Sequence, residues 1–190
     1  MYNITPDSSF LENYQQGLLP QRNRPGFWYS DTSCRSNLSH FSLSSENRRI
    51  LKKTDKFSFT VAKLPRHPYK IIFSWVKKLN WNFPASSIKT VFSRHLFTTL
   101  YLWRLENELV AYAVCYFSPS ISHIAYIFYH PQFSHHDLPL RLVLQVVIDS
   151  YHQNLKYCYL GRDHTKPTNF YKRNLPGYEY LKDGNWIKYK

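Results

Sequence analysis

The most constraining feature of the sequence is a run of three strand-like segments followed by one long apolar helix. Leu100 to Arg104, Val110 to Phe117 and Ile124 to Tyr129 alternate or run apolar over strand lengths. Glu106-Asn107-Glu108 and Ser118-Pro119-Ser120 separate them as turns, which predicts an antiparallel meander. Asp137-Leu138-Pro139 then opens a helix through Leu142, Val143, Val146, Val147 and Tyr151, with proline placed where its missing N–H has no helical partner. Lys156 to Leu160 reads as a strand ending at Gly161, and Pro167 to Arg173 as a short helix. Asp183-Gly184 between Tyr178–Leu181 and Trp186–Tyr189 is a hairpin signal.

Upstream, the pattern is weaker. Residues 1 to about 43 are rich in Asn, Ser, Pro and Arg and read as irregular, apart from a short helix over Ser8 to Gln16 with Phe10, Leu11 and Tyr14 on one face. Ser44 to Lys53 reads as a capped helix with a basic face. Phe57, Phe59 and Val61 alternate as a strand, and helices follow over Tyr69 to Leu79 and Ala85 to Ser93. This order predicts an α/β fold of the acetyltransferase-like kind: a mixed sheet whose central strands splay, flanked by helices, with a small irregular N-terminal segment. The division expected is an N-terminal basic and aromatic segment, 1–56, packed on a core formed by 57–190.

Charge narrows the partners. Lys and Arg number 25 against 12 Asp and Glu, a formal +13. Such a field attracts polyanions, nucleic acid first, while a solvated basic surface with no partner is the plainer alternative. Three widely spaced cysteines, Cys34, Cys115 and Cys158, encode neither a disulfide framework nor a zinc site. His130, His135 and His136 lack metal-ligand spacing, so no metal is expected. No apolar run suits a signal peptide or a membrane span, so the expectation is a cytoplasmic monomer without a membrane partner.

In acetyltransferases a Gly-rich turn cradles the pyrophosphate of coenzyme A at the start of the long helix. Phe133 to Leu140 contains no glycine, and Asp137 would repel a phosphate. Coenzyme A is therefore not expected as the acyl donor.

Four motifs in order carry a resemblance: Phe128-Tyr129-His130-Pro131, then Tyr159-Leu160-Gly161, then Tyr171-Lys172, and finally Glu179-Tyr180-Leu181 with Asp183-Gly184-Asn185-Trp186. Together with Phe27-Trp28-Tyr29 and the stretch from Ser42 to Lys53, they make the chain resemble the arginyl-tRNA–protein transferase family over most of 27–62 and 97–187. It departs in keeping only Cys34 of that family's four-cysteine cluster. His130 stands where the family has Asp, and Gly161-Arg162-Asp163-His164 replaces a Gly-Tyr-Trp-like stretch.

The resemblance implies aminolysis of an aminoacyl ester on tRNA by the α-amine of a protein or peptide with a free N-terminus. No cofactor is implied beyond aminoacyl-tRNA as co-substrate. Arg48, Arg49, Lys52, Lys53 and Arg173 become candidates for tRNA contact; the alternative is a solvated basic face. Tyr129 could orient the reacting carbonyl, and Tyr171 and Lys172 could contact the terminal adenosine or the acceptor. Asp163 and Glu179 could hold an ammonium group or act as base, against the alternative of ordinary ion pairs; His164 is a weaker base candidate. A ligase for a peptide or cell-wall precursor, and a tRNA-binding protein without catalysis, remain open beside protein arginylation.

Overall fold

The computed structural model of the chain describes residues 8–21, 24, 26–63, 69–93, 97–135, 137–163 and 167–189. Its centre is an eight-stranded sheet. In chain order the elements are α1 (Ser8–Gln15), β1 (Leu18–Pro20), β2 (Trp28–Ser30), β3 (Ser33–Asn37), α2 (Ser45–Lys53), β4 (Phe57–Lys63), α3 (Tyr69–Lys78) and α4 (Ala85–Ser93). Then come β5 (Thr99–Leu105), β6 (Glu108–Phe117), β7 (Ile121–Tyr129), α5 (Leu138–His152), β8 (Tyr157–Arg162), a 3-10 helix (Pro167–Asn174), β9 (Tyr178–Lys182) and β10 (Asn185–Lys188). The sheet order is β10-β9-β3-β8-β7-β6-β5-β4. The β7–β8 pair is parallel and every other neighbouring pair is antiparallel.

The expected meander is present as β5, β6 and β7, and the long helix as α5. Pro139 lies in the first turn of α5, while the Asp137 side chain makes no cap bond. Instead that carboxylate binds Arg49 at 2.9 Å and Lys53 at 3.2 Å on α2, which fixes α2 against the start of α5. Ser44 and Asn47 close a reciprocal capping box that starts α2.

Each sheet face has its own core. α2 and α5 cover one face, where Leu142, Val143, Val146 and Ile50 pack on Trp103, Ala113 and Cys158. On the other, α3 and α4 bring Ile72, Trp75 and Ile88 onto Tyr112, Val114 and Phe128. A smaller cluster on that second face joins Tyr14 of α1 to Ile121 and Tyr159. No helix among the described residues is long and apolar enough to cross a membrane.

The N-terminal third is more ordered than its composition suggests. β1 and β2 pair as a separate two-stranded sheet. β3 inserts between β8 and β9, so Ser33–Asn37 is part of the main sheet. Ser33-Cys34-Arg35-Ser36-Asn37 has no apolar alternation, which is why composition marks it as loop. Its polar groups are satisfied internally instead: Ser33 Oγ donates to the Gly17 carbonyl and Ser36 Oγ to that of Pro176. Arg35 meets Glu179, its register partner on β9.

Candidate functional site

β7 and β8 share only three pairs: Ile121–Tyr157, Ser122–Cys158 and His123–Tyr159. Immediately beyond, each strand carries an unpaired extra residue. Ala125 has no partner on β6, because Ile124 pairs with Cys115 and Tyr126 with Val114. Leu160 has none on β3, because Tyr159 pairs with Arg35 and Gly161 with Cys34. A bulge bends its strand, and two bulges side by side at the end of one ladder drive the strands apart. The predicted splay therefore has a local cause in Ala125 and Leu160.

Parting the strands exposes backbone groups that would otherwise pair. His130 N–H donates to the Val110 carbonyl. By ladder alternation, the N–H and C=O groups of Ile127 and Tyr129 then point toward β8 across the gap. On the β8 side, the carbonyls of Leu160 and Arg162 accept from Lys172 Nζ at 2.8 and 2.6 Å. Lys172 thus supplies the donors that β7 no longer offers. An ammonium has three N–H groups, so one remains after these two bonds.

The gap opens into a cleft of about 770 Å³ on the sheet face away from α5. One wall is the β1–β2 hairpin with Leu19 and Tyr29, and the opposite wall has Phe83 and Phe97. Gly161 lies on its floor at φ +75°, and a Cβ there would meet nothing within 4 Å, so its bare backbone faces open space. His123 sits at the apex, its Nδ1 2.8 Å from the hydroxyl of Tyr14.

The electrostatics are one-sided. Lys172 and Arg162 line the cleft, and among the described residues no Asp or Glu does. Burial lowers the pKa of Lys172, with Cys34 and Asp163 partly opposing. Burial, with a smaller contribution from the Lys172 charge, pushes His123 down to about 3, so its ring is neutral at physiological pH. Arg162 is ion-paired to Asp31 and lies over the ring of Tyr29 at 5.7 Å.

Of the candidate catalytic and tRNA-binding side chains named from the sequence, Lys172 alone among the described residues lines this cleft, together with Tyr29, Leu160 and Gly161 of the resemblance motifs. Tyr129 is half-buried against the α5-side core, edge-on to Trp81 at 5.3 Å. Tyr171 packs into that same core and borders a small recess with Asn47 and Leu140; burial raises its pKa, helped by Cys34 and Tyr129. Asp163 is 8% exposed at the end of β8, with Arg173 3.9 Å from its carboxylate. Glu179 accepts from Arg35 at 2.8 Å and Asn37 at 2.8 Å, using both oxygens. The Arg35 guanidinium is itself sandwiched between Tyr157 at 3.8 Å and Trp186 at 4.0 Å.

The basic residues of α2 lie on the α5 side of the sheet, opposite the cleft. Arg49 bonds Glu46 at 2.7 Å as well as Asp137, and Arg48 donates to the Leu43 carbonyl. Arg173 lies over Tyr189 at 4.9 Å. His136 and His164 fall outside the described residues. No group of three or more His, Cys, Asp or Glu among the described residues could hold a metal ion.

Sequence reasoning missed His123, Tyr14 and the hairpin wall. His123 is one polar residue in an apolar strand, with no motif around it. The aromatic face of α1 was visible, but nothing local tells that it caps the end of the β7–β8 ladder.

Comparison with known proteins agrees with this architecture. The family model described as "Arginine-tRNA-protein transferase, C terminus" matches residues 45–182. No curated protein matches significantly. Among solved structures, the C-terminal domain of a putative lysylphosphatidylglycerol synthetase from Agrobacterium fabrum is similar at 12% identity and a TM-score of 0.52; the match covers 70% of this chain and 46% of that one. L-PGS from Bacillus licheniformis is similar at 12% identity and 0.51, covering 74% and 48%. A conserved protein of unknown function from Bacteroides thetaiotaomicron is similar at 9% identity and 0.56, covering 91% and 66%. This chain thus spans about half the length of the first two structures. At these identities the likeness shows the fold: a mixed α/β sheet with flanking helices, of the acetyltransferase-like kind.

Proposed function

We propose that this chain, which belongs to the arginine-tRNA-protein transferase family, moves an aminoacyl group from tRNA to the α-amine of a protein or peptide, with the parted β7–β8 strands as the reaction site. The observation that supports this most is a cationic cleft, free of carboxylates among the described residues, with a partly desolvated lysine at its floor.

The chemistry is aminolysis. The acceptor nitrogen attacks the ester carbonyl carbon, the C–O bond to the ribose breaks, and an amide forms. The nitrogen loses one proton and the departing ribose oxygen gains one, so no oxidant or further co-reactant is needed. The main obstacle is that an α-amine with pKa near 8 is largely protonated at pH 7. A desolvated site beside Lys172 disfavours the ammonium form and so increases the nucleophilic neutral fraction. The same charge, with the gap-facing N–H of Ile127 and Tyr129, stabilises the oxyanion on the attacked carbonyl. His123, held neutral with a pKa of about 3, is a poor proton acceptor. The leaving oxygen is then the natural recipient of the amine proton.

On this view Lys172 is the catalytic residue. Glu179 holds Arg35 and the β3–β9 register, Tyr171 and Tyr129 pack the α5 side of the gap, and Asp163 anchors Arg173. Among the basic residues, Arg48 and Lys52 are the better candidates for tRNA phosphate contact, since Arg49 and Lys53 share Asp137.

The test is incubation of the full chain with a panel of charged tRNAs and peptides bearing free or acetylated N-termini, read by mass spectrometry. A mass increase of one residue on free N-termini alone is expected. Transfer only to a cell-wall precursor would change the acceptor class, and binding of tRNA without any transfer would sink the enzymatic reading.

A further inference from the structure

The cleft mixes apolar and aromatic side chains, Leu19, Phe83, Phe97 and Leu160, with the uncharged polar Gln21 and Asn82. Its charged members among the described residues are Arg162 and Lys172, both cations. Among the described residues, the carboxylates nearest in sequence or contact lie outside its lining. Asp31 pairs with Arg162, Asp163 lies toward Arg173, and Glu179 is held by Arg35 and Asn37. The stretches continuing the lining segments in sequence, 21–27, 94–96 and 164–166, contain no Asp or Glu either. At the apex, Tyr14 engages Nδ1 of His123 and leaves Nε2 without a protein partner among the described residues, so the end wall offers a neutral ring.

A guanidinium or ammonium group carried into this space would lose water beside Lys172 and find no counter-ion. Burying an unpaired charge is unfavourable even without a neighbour of like sign, and Lys172 adds repulsion. An aliphatic or aromatic group, in contrast, brings no charge to desolvate and meets Leu19, Phe83, Phe97 and Leu160.

We propose that the cleft selects an uncharged, apolar or aromatic amino-acid side chain on the transferred group and rejects arginine and lysine. This rests on the transferase function proposed above, and it departs from the amino acid in the family's description. Lys172 and the neutral His123 are its specificity determinants. The transferred residue's α-amine enters the same field and is held unprotonated there, as the acceptor's is.

The experiment is calorimetric binding of non-hydrolysable adenosines carrying a 3′-amide-linked leucyl, phenylalanyl, arginyl or lysyl group to the full chain. The leucyl or phenylalanyl compound should bind at least about tenfold more tightly than the cationic pair. Ala125→Asp places a carboxylate in the cleft and should shrink or invert that ratio; should this variant not fold, the wild-type ratio decides alone. Arginyl or lysyl binding as tight as leucyl overturns the selectivity while leaving the transferase function standing. Binding of none of the four overturns both.

Discussion

Lys172 donates its ammonium to the Arg162 carbonyl at 2.6 Å, bridging the 3-10 helix to the free edge of β8. Together with its bond to Leu160, this satisfies strand groups left open where β7 and β8 part. One side chain therefore both holds the gap and charges it. Replacing Lys172 by methionine should lower stability by about 1–3 kcal/mol, the penalty for acceptors left unsatisfied. Chemical denaturation checks this; an unchanged midpoint would mean that Lys172 does not hold the strand edge.

Acid sensitivity should report on His123. Its pKa is about 3 in the fold against 6.5 ordinarily, so between those values the unfolded chain binds more protons. The stabilisation from keeping this ring neutral is complete above pH 6.5 and is lost progressively as pH falls toward 3. The full loss is on the order of 5 kcal/mol. Unfolding curves between pH 7 and pH 4 should fall more steeply for wild type than for His123→Gln; parallel curves would contradict the buried neutral ring.

The Arg35–Glu179 pair is predicted to be structural. Glu179→Ala leaves a guanidinium buried between Tyr157 and Trp186 without its carboxylate and should destabilise by about 3–5 kcal/mol. Below the unfolding range the turnover of folded protein should stay within a few fold of wild type. A collapse in kcat with unchanged stability would return Glu179 to the chemistry.

Gly161 needs the left-handed backbone conformation at φ +75°. Since a Cβ there meets nothing within 4 Å, Gly161→Ala incurs only the backbone term, about 1–2 kcal/mol. The methyl also projects into the cleft, so KM should rise more than kcat falls. Steady-state kinetics separate the two.

If Arg48 and Lys52 contact tRNA phosphates, neutralising either should weaken tRNA binding and flatten its salt dependence by just under one unit of log–log slope. Lys53→Ala, at a residue already bonded to Asp137, should have the smaller effect. Slopes equal to that of wild type in all three variants would remove α2 from the interface.

What could be read from the sequence follows from where the information is local. The meander, α5 and the final hairpin carry their own periodicity and turn chemistry, and they appear within a few residues of their expected bounds. The splay was foreseeable as a consequence of strand order, but its position depends on bulges at Ala125 and Leu160, set by register with β6 and β3. β3 itself was illegible, because its stability comes from distant partners such as Pro176 and Glu179. The same holds for the site. Lys172 stood in a recognisable motif, whereas His123 and Tyr14 meet across 109 positions of chain.

The most direct measurement is the pH dependence of single-turnover transfer from charged tRNA in wild type and Lys172→Met. A cationic cleft that keeps the acceptor amine neutral predicts a rising limb centred below pH 8 in wild type. In the variant, that limb should move up toward the ordinary amine value, with a rate at pH 7 about a hundredfold lower. Identical profiles and rates in the two proteins would contradict the central role given to Lys172.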